Sequence, residues 1–262
     1  MKRGRLALGA VFLPVVCAAQ QGQADLADQL SNPVADLVSV PLQFNYDKHI
    51  GTNGEGHKLL LNIQPVIPIK LNADWNLISR TILPVVSQHG LGPADQDGLG
   101  DTLQSVFFSP IKPTASGLIW GAGPVILLPT GTDKYLSGRK WGAGPSAVVL
   151  KQSHGWTVGG LANHVWSFAG PDDRADVNAT FLQPFLQYTN KDAWSFGMNT
   201  ESTYDWHNSV WSVPLNFSIS KILKLGMQPI QLSGGLRYWV HSPDEGPKNW
   251  GARLSITFLF PK

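Results

Sequence analysis

From Val38 to Tyr46 every second residue is apolar: Val38, Val40, Leu42, Phe44 and Tyr46 stand against Ser39, Pro41, Gln43, Asn45 and Asp47. A period of two belongs to a β-strand, whose side chains point alternately to opposite faces. The pattern returns along the chain. Leu59, Leu61, Ile63, Ile67 and Ile69 oppose Lys58, Asn62, Gln64 and Lys70. Trp194, Phe196 and Met198 oppose Ser195, Asn199, Glu201, Thr203 and Asp205. Trp211, Val213, Leu215, Phe217 and Ile219 oppose Ser212, Asn216, Ser218 and Ser220. Trp250, Ala252, Leu254, Ile256, Phe258 and Phe260 oppose Gly251, Arg253, Ser255 and Thr257. Alternation of this length suits strands with lipid on one side and a watery or packed interior on the other. The sequence predicts an all-β fold: a transmembrane, antiparallel up-and-down β-barrel of about twelve strands with a short N-terminal helical segment. Strand starts fall near Leu37, His57, Asp74, Gly98, Ser116, Trp141, Gly155, Asp176, Asp192, Ser209, Pro229 and Asn249. Two stretches, Gly117–Leu128 and Gly142–Leu150, are apolar on both faces and fit the alternation least.

Hydropathy agrees. The chain is 43% hydrophobic, yet its mean hydropathy is only −0.05. Helical membrane proteins are far more apolar, and a barrel need not be, because half of each strand faces inward. The connections alternate as well. Asp47–Gly56, Ser87–Asp97, Thr130–Lys140, Gly170–Ala175 and His241–Lys248 are polar and mostly long. Asn72-Ala73, Lys112–Ala115, Gln152–His154 and Asn190-Lys191 are tight. Two joins run against that pattern: Asp205–Asn208 is short, and Lys221–Gln228 is longer than a tight turn. Trp75, Trp156 and Trp194 follow tight turns, whereas Trp141, Trp166, Trp239 and Trp250 border long loops. Tryptophans so placed are expected to form girdles at the two membrane interfaces.

The N-terminus addresses the chain for export. Lys2, Arg3 and Arg5 precede an apolar stretch from Leu6 to Val16, and the small residues Cys17, Ala18 and Ala19 follow. These are the three parts of a secretory signal peptide, expected to occupy residues 1–19 with cleavage after Ala19, a site after Ala24 being the alternative. Residues 20–36 are then a periplasmic or lumenal amphipathic segment, and 37–262 the barrel. Within the former, Leu26, Leu30, Val34 and Leu37 lie at helical spacing, and Asn32-Pro33 reads as a cap and first-turn proline restarting the helix. Removing Lys2, Arg3 and Arg5 from the 20 basic residues leaves a near balance with the 18 acidic ones, so nucleic acid is not expected as a partner. The single cysteine leaves with the signal, and with it any cysteine metal site or nucleophile.

Several motifs invite chemistry. Trp120-Gly121-Ala122-Gly123-Pro124 recurs as Trp141-Gly142-Ala143-Gly144-Pro145. A phosphate loop needs a helix N-terminus after the glycines, and none follows. The repeat instead reads as two paired strands flanking one external loop, with glycine marking a bend or a close packing. Asn163-His164-Val165-Trp166-Ser167 suggests a lipid hydrolase, but the odd spacing of His164 and Ser167 puts them on opposite faces of a strand. The other histidines are scattered without metal-ligand spacing. No catalytic residue, metal or cofactor is therefore expected. Arg80, Glu201, Asp205, Arg237 and Arg253 fall on the polar, inward faces, where charges line a pore or pair across a closed lumen.

Longer strings of residues are also informative. Asn32-Pro33-Val34-Ala35-Asp36-Leu37 leading into Val40-Pro41-Leu42-Gln43-Phe44-Asn45-Tyr46-Asp47 resembles a family of outer-membrane barrels labelled "transporter" or, misleadingly, "neuromedin U". That family stands near the barrels of the MetA pathway of phenol degradation. Asn62-Ile63-Gln64-Pro65-Val66-Ile67-Pro68, Trp75-Asn76-Leu77-Ile78-Ser79-Arg80, Gly98-Leu99-Gly100-Asp101, Phe107-Phe108-Ser109-Pro110 and Asn199-Thr200-Glu201-Ser202-Thr203-Tyr204-Asp205 carry the same resemblance. It spans nearly the whole chain after the signal and implies the barrel fold and the cell outer membrane. The expected function is a non-enzymatic channel for passive passage of small molecules, hydrophobic ones among them, with outer-membrane lipids around it. Arg80, Glu201, Asp205, Arg237 and Arg253 are the lumen-lining candidates. The alternatives are a closed structural or partner-binding barrel, a membrane-embedded hydrolase at His164, and a soluble exported β-sandwich.

Overall fold

A computed structural model describes residues 13–92 and 94–261 of the chain. The first twelve residues of the expected signal peptide lie outside the described residues. The first element is helix α1 (Leu13–Leu30). Strands β1 (Val38–Ile50), β2 (Gly56–Ile63), β3 (Val66–Lys70), β4 (Trp75–His89), β5 (Gln96–Leu99), β6 (Thr102–Pro110), β7 (Leu118–Leu128) and β8 (Trp141–Ser153) follow. The chain then forms β9 (Trp156–Ala169), β10 (Asn178–Thr189), β11 (Trp194–Thr200), β12 (Ser202–Asp205), β13 (Val210–Leu225), β14 (Gln228–His241) and β15 (Asn249–Phe260).

Three crossings of the sheet are interrupted rather than continuous. β2 and β3 are parted at Gln64-Pro65, where the proline has no N–H to give the ladder. β5 and β6 are parted at Gly100-Asp101, and β11 and β12 at Glu201. Each pair runs against one common neighbour, so the fifteen segments make twelve barrel strands. Every pairing is antiparallel, and each barrel strand pairs with its neighbours in chain order. The ring closes where the first strand meets the last, Val38 beside Phe260 and Tyr46 beside Ala252, which leaves no open sheet edge. All twelve starts expected from alternation fall within about two residues of the observed ones. Lys221–Gln228 is a correction: β13 runs to Leu225 and turns tightly through Gly226 and Met227. The positive φ of 63° at Gly226 is what permits that turn.

The outward face is apolar around the ring. Leu59, Ile67, Phe108, Val149, Phe196, Phe217, Leu236 and Leu254 are all exposed there, as a bilayer belt requires. Trp75 and Trp120 stack edge to face, with centroids 5.8 Å apart, and Trp156 and Trp194 join them at the tight-turn end. Trp141, Trp166, Trp206, Trp211 and Trp250 ring the loop end. Trp239 departs from the expected girdle, because its indole turns inward and donates from Nε1 to Asp47 Oδ1 at 2.8 Å. A buried carboxylate draws the N–H more strongly than the membrane interface does. The glycine repeat lies where the paired-strand reading put it. Pro124 faces Pro145 across β7 and β8, which flank the loop 129–140. A Cβ on Gly123 would lie 2.0 Å from the Val106 carbonyl oxygen, so glycine there permits close approach of two strands.

The N-terminal segment enters the lumen at the tight-turn end. The helix ends at Leu30 rather than restarting at Asn32. A residue preceding proline is disfavoured in the helical region, and Asn32 Oδ1 accepts from the Val34 N–H at 3.0 Å to make a local turn instead. Ala27 and Leu37 are buried with Ala193, Ile222 and Leu259, and Leu26, Leu30 and Ala35 pack beside them. Val34 projects further in, among Ile78, Phe107, Val148, Leu150 and Leu161. Burying a valine or leucine side chain contributes about 1.5–3 kcal/mol relative to exposure. Hydrogen bonds add direction. Gln152 Nε2 donates to the Asp28 carbonyl at 2.8 Å and to Ser31 Oγ at 2.9 Å, and Ser31 Oγ meets Thr157 Oγ1 at 2.7 Å.

Candidate functional site

The lumen has two unlike arcs. Along β10 to β4, passing through β9, β8, β7 and β6, the inward face is mostly aliphatic or aromatic. Ile78, Ile82, Leu103, Phe107, Val125, Leu127, Val148, Leu150, Leu161, Val165, Phe181 and Phe185 form it. Glycines 121, 123, 142 and 144 sit between them. Along β11 to β15 and on through β1 and β2, the inward face is mostly polar: Asn199, Glu201, Asn216, Ser218, Ser220, Arg237, Arg253, Ser255, Thr257, Asn45 and Asp47, with Ile222 and Leu259 turned to the N-terminal segment.

Charges gather on the polar arc, toward the loop end of its strands. Arg253 grips Glu201 with both ends of its fork, Nη1 to Oε1 at 2.9 Å and Nη2 to Oε2 at 2.6 Å, and gives Nε to Asn45 Oδ1 at 2.7 Å. Such bidentate pairs are the strong, geometrically specific kind. Next to it Arg237 Nη1 pairs with Asp47 Oδ2 at 3.3 Å, and the guanidinium lies 4.5 Å from the Trp239 ring centroid. Lys58 stands opposite Asp47 in the β1–β2 register. On the other side of the lumen, β4 carries Arg80, whose Nη2 donates to Gln64 Oε1 at 3.0 Å.

Three of the five sequence candidates therefore gather here, Glu201, Arg237 and Arg253, while Arg80 stands apart from them across the lumen. Asp205 stands apart at the loop end, its carboxylate accepting from the backbone of His207 and Asn208 and from Asn208 Nδ2. It caps a turn and does not join the charged belt. Sequence reasoning did not single out Asp47, Lys58 and Asn45, although all three lay on polar faces already recognised by alternation. Nor did it identify the aliphatic arc, whose signal was the two-sided apolarity of Gly117–Leu128 and Gly142–Leu150.

Two cavities lie inside the barrel. One, of about 250 Å³, sits between the N-terminal segment and the wall, against Leu30, Pro33, Gln64, Arg80, Leu161 and Phe185. The other, of about 230 Å³, lies against Ile82, Leu103, Leu127, Val165 and Phe181, again with Arg80. At the loop end, Asp101 accepts from Gly131 N, Ser137 Oγ and Gly138 N, and so ties down the loop 129–140. Lys140 Nζ reaches Asp176 Oδ1 at 3.0 Å. That ammonium, with a hydrogen bond from Ser167 Oγ, holds the Asp176 carboxyl below the usual carboxylate range. Ser167 thus faces Asp176, while His164 points outward with Nδ1 2.7 Å from Thr180 Oγ1. The two residues of the hydrolase motif are not brought together. Among the described residues no cluster of His, Cys, Asp and Glu could hold a metal ion.

No family model matches the chain, and no curated protein matches it. Solved structures do. An outer membrane channel from Pseudomonas putida F1 is similar with a TM-score of 0.68 at 14% identity, over 86% of this chain and 96% of that one. The NanC porin has a TM-score of 0.49 at 12% identity, over 86% of this chain and 100% of that one. The outer membrane phospholipase A from Escherichia coli has a TM-score of 0.49 at 9% identity, over 92% and 98%. The first likeness establishes the fold as that of an outer-membrane barrel, and the other two carry no weight beyond it. A closed barrel with an apolar outer belt and tryptophan girdles belongs in a lipid bilayer, and in Gram-negative cells that bilayer is the outer membrane.

Proposed function

We propose that this barrel is an outer-membrane channel for the passive passage of small, hydrophobic molecules. The observation that carries the reading is the aliphatic arc. A pore for ions or sugars has no use for Ile82, Leu103, Leu127, Val165 and Phe181 around a cavity of about 230 Å³, and ligand pockets for apolar molecules are lined in this way. The tryptophan-ringed, apolar exterior supports residence among outer-membrane lipids, with residues 1–19 acting as the export signal. Uptake of radiolabelled naphthalene by cells expressing the barrel tests the reading. Faster uptake than in cells without it, reduced by Phe181→Asp or Leu127→Asp, is the expected result, and equal uptake with and without the barrel would overturn it.

One observation favours a second reading, a barrel that rests closed. Leu30 to Leu37 fills the tight-turn end and is held by Gln152 and Thr157. Single-channel recording in planar bilayers separates the two. A channel gives small steps with the full chain and larger ones when residues 22–36 are deleted, whereas a structural barrel stays silent in both forms. Arg80→Ala and Glu201→Ala are expected to change conductance, and unchanged conductance and uptake would remove both from the pathway.

A further inference from the structure

Among the described strand residues from β4 to β10, the inward face of the aliphatic arc carries one charge, Arg80. Its neighbours along β4 on that face are Ile78 and Ile82, and those across the ladder are Val66 and Ser105. A cation on such a wall is costly unless something offsets it. What the chain supplies is one neutral acceptor, Gln64 Oε1 at 3.0 Å. Among the described residues, no carboxylate oxygen lies within 4 Å of Arg80. Glu201 acts on it from further away, and both Glu201 oxygens are already engaged by Arg253. Among the described residues the belt as a whole is unbalanced in the same sense, since Lys58, Arg80, Arg237 and Arg253 face Asp47 and Glu201. Arg80 also lines both cavities, so the donors it does not give to Gln64 open onto them, and one of the two is walled mainly by apolar side chains.

From this geometry we infer that the lumen selects amphipathic monocarboxylates, the carboxylate docking on the Arg80 guanidinium and the apolar tail lying along Ile82, Leu103, Leu127 and Phe181. The inference rests on the channel reading and narrows its substrate class. A guanidinium fork matches a carboxylate in two parallel hydrogen bonds, and the aliphatic arc removes the tail from water. An alcohol of the same length would gain the second contribution without the first. An amine would be repelled by a belt in which four cations face two carboxylates.

The test is calorimetric titration of the folded full chain in lipid nanodiscs, with empty nanodiscs subtracted. The probes are octanoate, octan-1-ol and octylamine, and heat-modifiable gel mobility reports folding. We expect octanoate to bind at least about tenfold more tightly than octan-1-ol, the scale of one charge-assisted interaction. Octylamine should bind most weakly. Arg80→Gln should bring octanoate down to the level of octan-1-ol, and Arg80→Lys should restore part of the difference. The comparison of probes on the unaltered chain decides the matter even if Arg80→Gln fails to fold. Equal binding of octanoate and octan-1-ol, or preference for octylamine, overturns the inference and leaves a channel for neutral apolar molecules. If neither octanoate nor octan-1-ol binds, the hydrophobic-channel reading falls with it.

Discussion

The two arcs of the lumen wall share one outer surface and differ in everything behind it. On the polar arc, Arg253, Glu201, Asn45, Arg237 and Asp47 hold one another by directional contacts. On the aliphatic arc, Ile78, Phe107, Val148, Leu150 and Leu161 pack around Val34 with no polar direction at all. One arc is specified by geometry and the other by volume. The difference teaches where each is fragile: the first fails when a partner is removed, the second when space is left empty.

Removing a partner should have the largest effect. Glu201→Ala leaves the Arg253 guanidinium, whose side chain is only 9% exposed, without its carboxylate, and should cost about 4 kcal/mol of folding stability, read from urea unfolding in lipid vesicles. Adding Arg253→Met to that variant should recover most of the loss, because no uncompensated charge then remains buried. A loss that persisted in the double variant would show that the belt is held by packing, like the opposite arc. Phe107→Ala empties space at a fully buried position and should cost roughly 3 kcal/mol by the same measurement, and Phe107→Leu less than half of that. A smaller effect is expected from Trp239→Phe, which removes the donor to Asp47 and should cost about 1–2 kcal/mol while leaving the outer girdle intact. Unchanged stability would return Trp239 to the role of an interface residue.

The mildest prediction concerns the rim, where Lys140 and Asp176 join the loops. A carboxyl held below its unfolded value of about 3.9 stabilises the fold in full above that value, and the contribution disappears as pH falls through the folded value. Hydrogen-exchange protection around Gly170–Val177 should therefore be constant between about pH 5 and 7 and weaken below about pH 4. Lys140→Met should shrink that acid dependence to the part that Ser167 supplies.

Much of this was readable from residue order. Alternation marked the strands of the polar arc because lipid and polar lumen impose opposite chemistries on adjacent residues, as at Leu254 and Arg253. On the aliphatic arc both environments are apolar, so Val148 and Val149 look alike although one faces the lumen and the other the bilayer. The missing alternation was itself the sign of a hydrophobic lumen. Arg80, Glu201, Arg237 and Arg253 were legible as inward charges, but which of them meet depends on strand stagger, a property of the closed ring that no local window contains. The end of α1 depended on one backbone restriction at Asn32, which competed with a convincing helical spacing of Leu30, Val34 and Leu37. Trp239 was misplaced because its partner lies 192 positions away.

The seat of the N-terminal segment has a consequence for biogenesis. Ser31 reaches Thr157 on β9, a partner 126 positions distant, and Leu37 rests against Ile222 on β13 and Leu259 on β15. No partially assembled sheet offers all of these at once. A segment made before the strands it docks on is thus the last to find its place, and until the ring has closed, Leu26, Leu30, Val34 and Leu37 lack their apolar partners. Docking of this segment therefore reports that the ring is complete.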